Sequence, residues 1–153
     1  MYQKVLVPLD GSELAECSLS HVRNLVKEGS AGEVILLNIV KIDSPFGDGG
    51  NKSIINEWAK LKEKAEDDSK KYLAAVAASL GSESIKVRTE SIEDVWPARS
   101  IADYAKKNKI DMIILTTHGY TGLRKMMFGS VAMEILHDSH VPVLLIRPES
   151  CRL

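Results

Sequence analysis

The residues best suited to chemistry in this chain lie between Asp111 and Leu136, in the run DMIILTTHGYTGLRKMMFGSVAMEIL. Met112 to Leu115 are continuously apolar, the pattern of a strand covered on both faces as in a parallel sheet. Gly119 and Gly122 then mark a turn. Gly129-Ser130 opens a helix whose apolar positions are Val131, Ala132, Met133, Ile135 and Leu136. A hydroxyl N-cap there leaves backbone N–H groups directed toward the loop. That arrangement binds anions: glycine lets backbone approach a phosphate, the N–H groups donate to it, and the helix dipole favours its charge.

Asp10, at the end of the first apolar run, is a second candidate. Its carboxylate can accept from ribose or base donors, or hold a magnesium ion through water; it is equally suited to be a turn residue ahead of Ser12. His118, beside Gly119, has the position of a proton shuttle or phosphate contact and also that of a structural turn histidine. Arg124 and Lys125 can shield outer phosphates or remain solvated. Cys17 and His21, four apart on one helix, supply half a metal site without a second pair, and His137 and His140 suit the last turn of a helix. No structural metal is expected. The segment Gly49 to Ser53 invites comparison with a Walker A loop but lacks its spacing, and reads as flexible loop.

The elements that must position these residues follow from periodicity. Lys4 to Asp10 carries the strand Val5-Leu6-Val7, stopped by Pro8, Asp10 and Gly11, with Ser12 as N-cap of a helix over Glu13 to about Lys27. Gly29 or Gly32 closes that helix. Glu33 to Val40 is a second buried strand. Lys41 to Asn51 reads as a surface loop, and Ile55 to Leu80 as a long amphipathic helix with a solvated, mixed-charge face. Ile85 to Ser91 alternates as a short strand nearer an edge. Pro97 starts a fourth-from-last element, a helix on Ala98, Ile101, Ala102 and Ala105 ended by Asn108, with Glu93 and Asp94 upstream. Val141 to Ile146 is the last strand. Five strands alternating with four helices predict a doubly wound α/β sandwich with a mostly parallel sheet and helices on both faces.

Length and composition bound the rest. A chain of 153 residues with 44% hydrophobic content can bury one substantial core, so one domain is expected over 1–148 with a tail over 149–153. A net charge of −1 from 20 basic and 21 acidic residues gives no field to draw it onto nucleic acid or an anionic membrane. The opening MYQKVLVPLD is no signal peptide and no apolar run is long enough to span a bilayer, so a cytoplasmic location is expected. Cys17 and Cys151, with no CxxC or Cys/His cluster, read as free thiols.

Thr116-x2-Gly119-x9-Gly129-Ser130 resembles the nucleotide-binding signature of the universal stress protein family, Gly-x2-Gly-x9-Gly-Ser/Thr, with Thr116 in place of the first glycine. KVLVPLDGS, PARSIADYAKK and VPVLLIRP extend the resemblance over nearly the whole chain. The resemblance implies an adenine nucleotide alpha-hydrolase-like fold with strand order 3-2-1-4-5, which brings Asp10 beside the Thr116–Ser130 loop at the point where the order reverses. It further implies ATP or AMP as ligand, possible with magnesium, held by Pro8, Asp10, Val40, Thr116, Gly119, Gly129, Ser130 and Val131, with Val40 contributing backbone. It also implies a homodimer paired through the strand at 141–147, acting in stress response or regulation. Nothing in the chain requires catalysis; slow ATP hydrolysis, or self-phosphorylation at Ser130 or Thr121, is compatible with such a site. The rival reading is an interaction protein of the same fold in which Thr116 closes the pocket. A nucleotidyl-transfer enzyme would need HxGH or an SGGxDS-like sequence after the first strand, and PLDGS is neither.

Overall fold

The computed structural model of the chain describes residues 1–42, 51–80, 85–117 and 129–148. Five parallel strands form one sheet: β1 (Tyr2–Pro8), β2 (Ala31–Val40), β3 (Lys86–Glu93), β4 (Met112–Thr116) and β5 (Val143–Ile146), in the order β3-β2-β1-β4-β5. Each interior strand is apolar on both faces because helices cover both. Leu6 pairs with Ile35 on one side and Ile113 on the other, and Thr116 pairs with Ile146. The pleat divides these residues into two cores. Val5, Val7, Val34, Leu36 and Ile114 meet helices α2 (Ser18–Lys27) and α3 (Lys52–Leu80) through Leu19, Val22, Leu73 and Val76. Leu6, Ile35, Leu37, Ile113 and Leu115 meet α4 (Pro97–Lys107) and α5 (Ser130–Asp138) through Ile101, Ala105, Ala132 and Ile135. Burying one such Leu or Ile contributes roughly 1.5–3 kcal/mol.

The helix expected over Glu13–Lys27 is two: α1 (Glu13–Glu16) and then α2. Cys17 divides them, its N–H bonded to the Leu14 carbonyl at 3.3 Å, an i−3 bond that tightens the turn. Cys17 is also not the free thiol expected but disulfide-bonded. Its sulfur lies 3.8 Å from the Pro148 carbonyl, so the fold returns the end of the chain to α2, which sequence separation hides. Cys151 lies outside the described residues.

Helix ends explain several connections. After α2, Ser30 N–H bonds to Leu25 O at 2.9 Å and Gly29 N–H to Val26 O at 3.0 Å, with Gly29 at φ +63°. This is a Schellman ending that needs the left-handed conformation. Gly29 is therefore the stop, while Gly32 lies inside β2, where a Cβ would stand 2.9 Å from the Gln3 carbonyl oxygen. Helix α4 ends in the same motif, Ile110 N–H to Ala105 O at 3.0 Å and Lys109 N–H to Lys106 O at 3.4 Å, but with Lys109 in the left-handed position at φ +54°. Ile110 packs in the same core as Ala105, the apolar contact that accompanies the motif. Asp111 then ties β4 to β1, accepting from the N–H groups of Gln3 at 2.7 Å and Lys4 at 2.9 Å. At the start of α4, Asp94 accepts from Trp96 N–H at 2.9 Å and from the Ser100 hydroxyl. These bonds fix the entry to α4, whose N-cap residue Trp96 makes no side-chain cap bond.

Candidate functional site

A cavity of about 540 Å³ opens where the strand order reverses, beyond the carboxyl ends of β1 and β4. Open α/β sheets place ligands there because the helices on either side of the reversal diverge to opposite faces. Pro8 and Asp10 reach it from the end of β1, Leu37, Ile39 and Lys41 from β2, and Leu115, Thr116 and Thr117 from β4. Leu9 and Ala15, Pro97 and Ile101 of α4, and Gly129 with Ser130, Val131 and Ala132 of α5 complete the lining among the described residues.

Local chemistry sets each polar group. Pro8 ends the ladder, and Leu9 is still held by its N–H to the Leu37 carbonyl at 2.8 Å. Gly11, at φ +81°, turns the chain back. The Asp10 carboxylate is fixed in that turn: its Oδ1 accepts from the Ser12 N–H at 3.0 Å and the Ser12 hydroxyl at 2.6 Å. Ser12 Oγ in turn accepts from Ala15 N–H at 3.1 Å, capping α1. Asp10 is thus both the turn residue and a cavity residue, and the two readings of it do not compete.

On the far wall, Thr116 and Thr117 are buried, at 7% and 2% exposure. Thr117 N–H bonds to the Ile146 carbonyl at 2.9 Å, and its own carbonyl accepts from Gly129 N–H at 2.5 Å, so β4 and the start of α5 are joined directly. The N-cap of α5 is Gly129, at φ −69° and ψ 151°, with no side-chain cap bond. The expected hydroxyl cap is therefore absent; Ser130 is the first helical residue. By helical geometry the N–H groups of Ser130, Val131 and Ala132 have no carbonyl partner within α5. They stand at the positive end of its dipole, on the cavity wall.

Of the residues singled out in the sequence, Pro8, Asp10, Thr116, Gly129, Ser130 and Val131 are brought together on this cavity. Val40 is placed elsewhere: strand alternation puts it on the opposite face from Ile39, and its carbonyl accepts from Asp94 N–H at 3.2 Å. Gly119, with His118, Thr121, Arg124 and Lys125, lies outside the described residues. Ile39, Lys41, Pro97, Ile101 and Thr117 were not singled out. The parity of β2 and the proline at the first turn of α4 were the available signals, and both depend on knowing which face holds the site.

The arrangement can hold a molecule with a flat apolar part and an anionic end. Ile39, Leu37, Ile101, Leu115 and Pro97 offer apolar surface, Asp10 accepts hydrogen bonds at one side, and the α5 N-terminus offers N–H donors at the other. The molecule is a doubly wound α/β protein with a ligand-sized cavity at its switch point, the place where open sheets of this kind hold ligands. The universal stress protein family model matches residues 1–147, and the chain belongs to that family. It is 32% identical over 147 residues to a universal stress protein of Methanocaldococcus jannaschii, MJ0531, covering 96% of this chain and 83% of that protein. A second protein of that organism, MJ0577, is 31% identical over 157 residues, 96% of each chain. The solved structure of MJ0577 superposes with a TM-score of 0.79 at 29% identity, covering 96% of both. More distant structures share the fold alone, among them an Arabidopsis thaliana family member with AMP bound, at TM-score 0.62 and 13% identity over 95% of this chain and 91% of that one. Another is an Archaeoglobus fulgidus universal stress protein in complex with dAMP, at TM-score 0.55 and 18% identity over 95% and 98%.

Proposed function

We propose that this chain is an adenine-nucleotide-binding universal stress protein that takes ATP or AMP in the cavity between β1 and β4 and acts as a homodimeric regulator in the cytoplasm. The observation that carries the reading is the pairing of Asp10 with the uncapped α5 N-terminus across one apolar cavity. The base lies against Ile39, Pro97 and Ile101, Asp10 accepts from base or ribose, Gly129 lets the backbone come close, and the N–H groups of Ser130, Val131 and Ala132 take phosphate. Gly119 belongs to the phosphate wall by family resemblance. Magnesium, where present, neutralises phosphate charge and is held through water by Asp10. The nucleotide complexes of the distant relatives agree with this chemistry. No catalytic residue is assigned.

Thr116 favours a second reading. It is 7% exposed on the cavity wall where the family signature has glycine, and its side chain subtracts room beside the phosphates. In that reading the protein keeps the fold and binds partners without nucleotide. Calorimetric titration of nucleotide-stripped protein with ATP and AMP in magnesium, repeated with Gly129→Val, separates the two. Gly129 is in extended backbone that valine adopts freely, so the variant folds while its side chain blocks backbone approach to phosphate. Binding by wild type and its loss in the variant supports the nucleotide site; no binding by folded wild type refutes it and favours the second reading.

Dimerisation is assigned to β5, an edge strand whose residues Val143, Leu144 and Leu145 are only partly buried. Exposed apolar edges are covered or paired in native proteins, and the family resemblance places a second copy at 141–147. Sedimentation of wild type as a monomer at micromolar concentration would remove this part of the reading.

A further inference from the structure

Asn38 is the one polar residue in the apolar run from Val34 to Val40, and strand alternation turns it away from the cavity, to the α3 face. Asn38 is half-buried, and an amide drawn away from water is costly unless both its ends are satisfied. Here both are. Asn38 Nδ2 donates to the Leu9 carbonyl at 2.6 Å, and Asn38 Oδ1 accepts from the Ser69 hydroxyl of α3 at 2.7 Å. Ser69 Oγ is also 2.8 Å from Ser91 Oγ of β3. A hydroxyl has one proton, and Ser69 gives it to Asn38, so Ser91 is the donor in that last pair. The result is a single directed chain of hydrogen bonds, Ser91 to Ser69 to Asn38 to the carbonyl of Leu9, running from β3 through α3 and β2 to the end of β1. Such chains polarise and strengthen each member.

Its end point is informative. Leu9 is fixed at its N–H by the Leu37 carbonyl and at its C=O by Asn38, so the peptide leading into Asp10 cannot rotate. Without the amide, the Leu9 carbonyl loses the hydrogen bond that fixes the peptide entering the Asp10 turn. We propose that Asn38 is a positioning residue that orients the Leu9–Asp10 peptide and thereby the Asp10 carboxylate at the cavity, with Ser69 of α3 setting the orientation of the amide. This rests on the nucleotide reading of the cavity for its consequence, though not for its geometry. It also makes the docking of α3 a control on ligand affinity, since Ser69 begins the buried half of that helix, followed by Leu73, Val76 and Leu80.

The test is Asn38→Asp, which keeps the shape but replaces the donor by an acceptor facing the Leu9 carbonyl. At pH 8 the carboxylate cannot make the bond, and AMP affinity falls about tenfold, the size of one lost buried hydrogen bond. Toward pH 5 the carboxyl, raised by burial beside a carbonyl, gains a proton, donates again, and the deficit closes. The ionisable side chains of Asp10, Glu16, Lys41 and Tyr72 also stand around this turn and cavity, so the profile is read as the ratio of variant to wild-type affinity at each pH. The Asp10 amide 15N shift, which reports the Leu9 carbonyl's hydrogen bond, moves in the variant at pH 8 and returns at low pH. Ser69→Ala, a milder change, weakens AMP binding by about threefold, half of that loss in free energy, and decides the matter should Asn38→Asp not fold. A variant-to-wild-type ratio that stays constant with pH, or unchanged affinity and Asp10 shift in both variants, overturns the proposal. If wild type binds no AMP, the nucleotide reading fails while the Asp10 shift still decides the positioning.

Discussion

Lys109 offers a quantitative check on the backbone. It holds the left-handed position of the Schellman ending of α4 at φ +54°, where α2 uses Gly29 at φ +63° for the same hydrogen bonds. An L-residue costs about 1–2 kcal/mol there. Lys109→Gly removes that strain but enlarges the freedom of the unfolded chain, giving back about 0.4–1 kcal/mol. It also removes a cation near the negative end of α4, worth about 0.3 kcal/mol when exposed and screened, with Lys106 and Lys107 remaining in the last turn. The balance is a stabilisation centred at about 0.5 kcal/mol and reaching about 1.3 kcal/mol at most, or a rise in Tm of roughly 1–5 °C for a domain of this size. Lys109→Ala is the control, because it loses the same charge and keeps the Cβ. Urea unfolding of the three proteins, read at constant m, isolates the backbone contribution as the difference between the glycine and alanine variants. A glycine variant no more stable than the alanine variant would refute the assignment of strain to this residue.

Two further outcomes follow from the packing. Gly32→Ala places a Cβ 2.9 Å from the Gln3 carbonyl oxygen, backbone that must shift, so about 1–3 kcal/mol of stability is lost in denaturant unfolding; an unchanged midpoint would contradict the close approach of β1 and β2. Asp94 is held below the usual carboxylate range by its bonds from the Ser100 hydroxyl and the Trp96 N–H. A depressed folded value means a stabilisation that is complete above the unfolded pKa, about 3.9, and is lost as pH falls through the folded value. Asp94→Ala is therefore less stable than wild type at pH 7, the two melting curves converge below about pH 4, and a gap independent of pH would count against the stabilisation by these two bonds.

The alternation of strand and helix, the five strands and the two-sided burial of β1, β2 and β4 were legible because continuous apolar runs leave a strand no exposed face. The strand order came through family resemblance, since crossover lengths do not distinguish which neighbour a parallel strand takes. At the site, Asp10, Gly129 and Ser130 were legible because a carboxylate after a strand and a glycine before a helix have few uses. Val40 was read for Ile39 and Lys41 because the face of a doubly buried strand leaves no trace in its pattern. The helix break at Cys17 and the strained Lys109 were invisible because a local i−3 bond at Cys17 and a Schellman ending with a lysine in the glycine position leave no mark in apolar periodicity. Asn38 looks in the sequence like an interruption of an apolar run; only the approach of the Leu9 carbonyl and Ser69 gives it partners.

The central place of β1 has a consequence for how the chain is made. β1 leaves the ribosome ahead of the other four strands of its sheet, but its neighbour β4 and the Asp111 carboxylate that receives the Gln3 and Lys4 N–H groups come more than 100 residues later, the separation being 107–108 positions. A nascent chain therefore has β1, β2 and β3 in hand with the Val5–Leu6 edge of β1 still bare. Delayed long-range pairing slows folding and leaves such an edge open to the wrong strand. Two newly synthesised copies on one messenger would present that same edge to each other, so chaperone dependence during translation should exceed that of the refolded, completed chain.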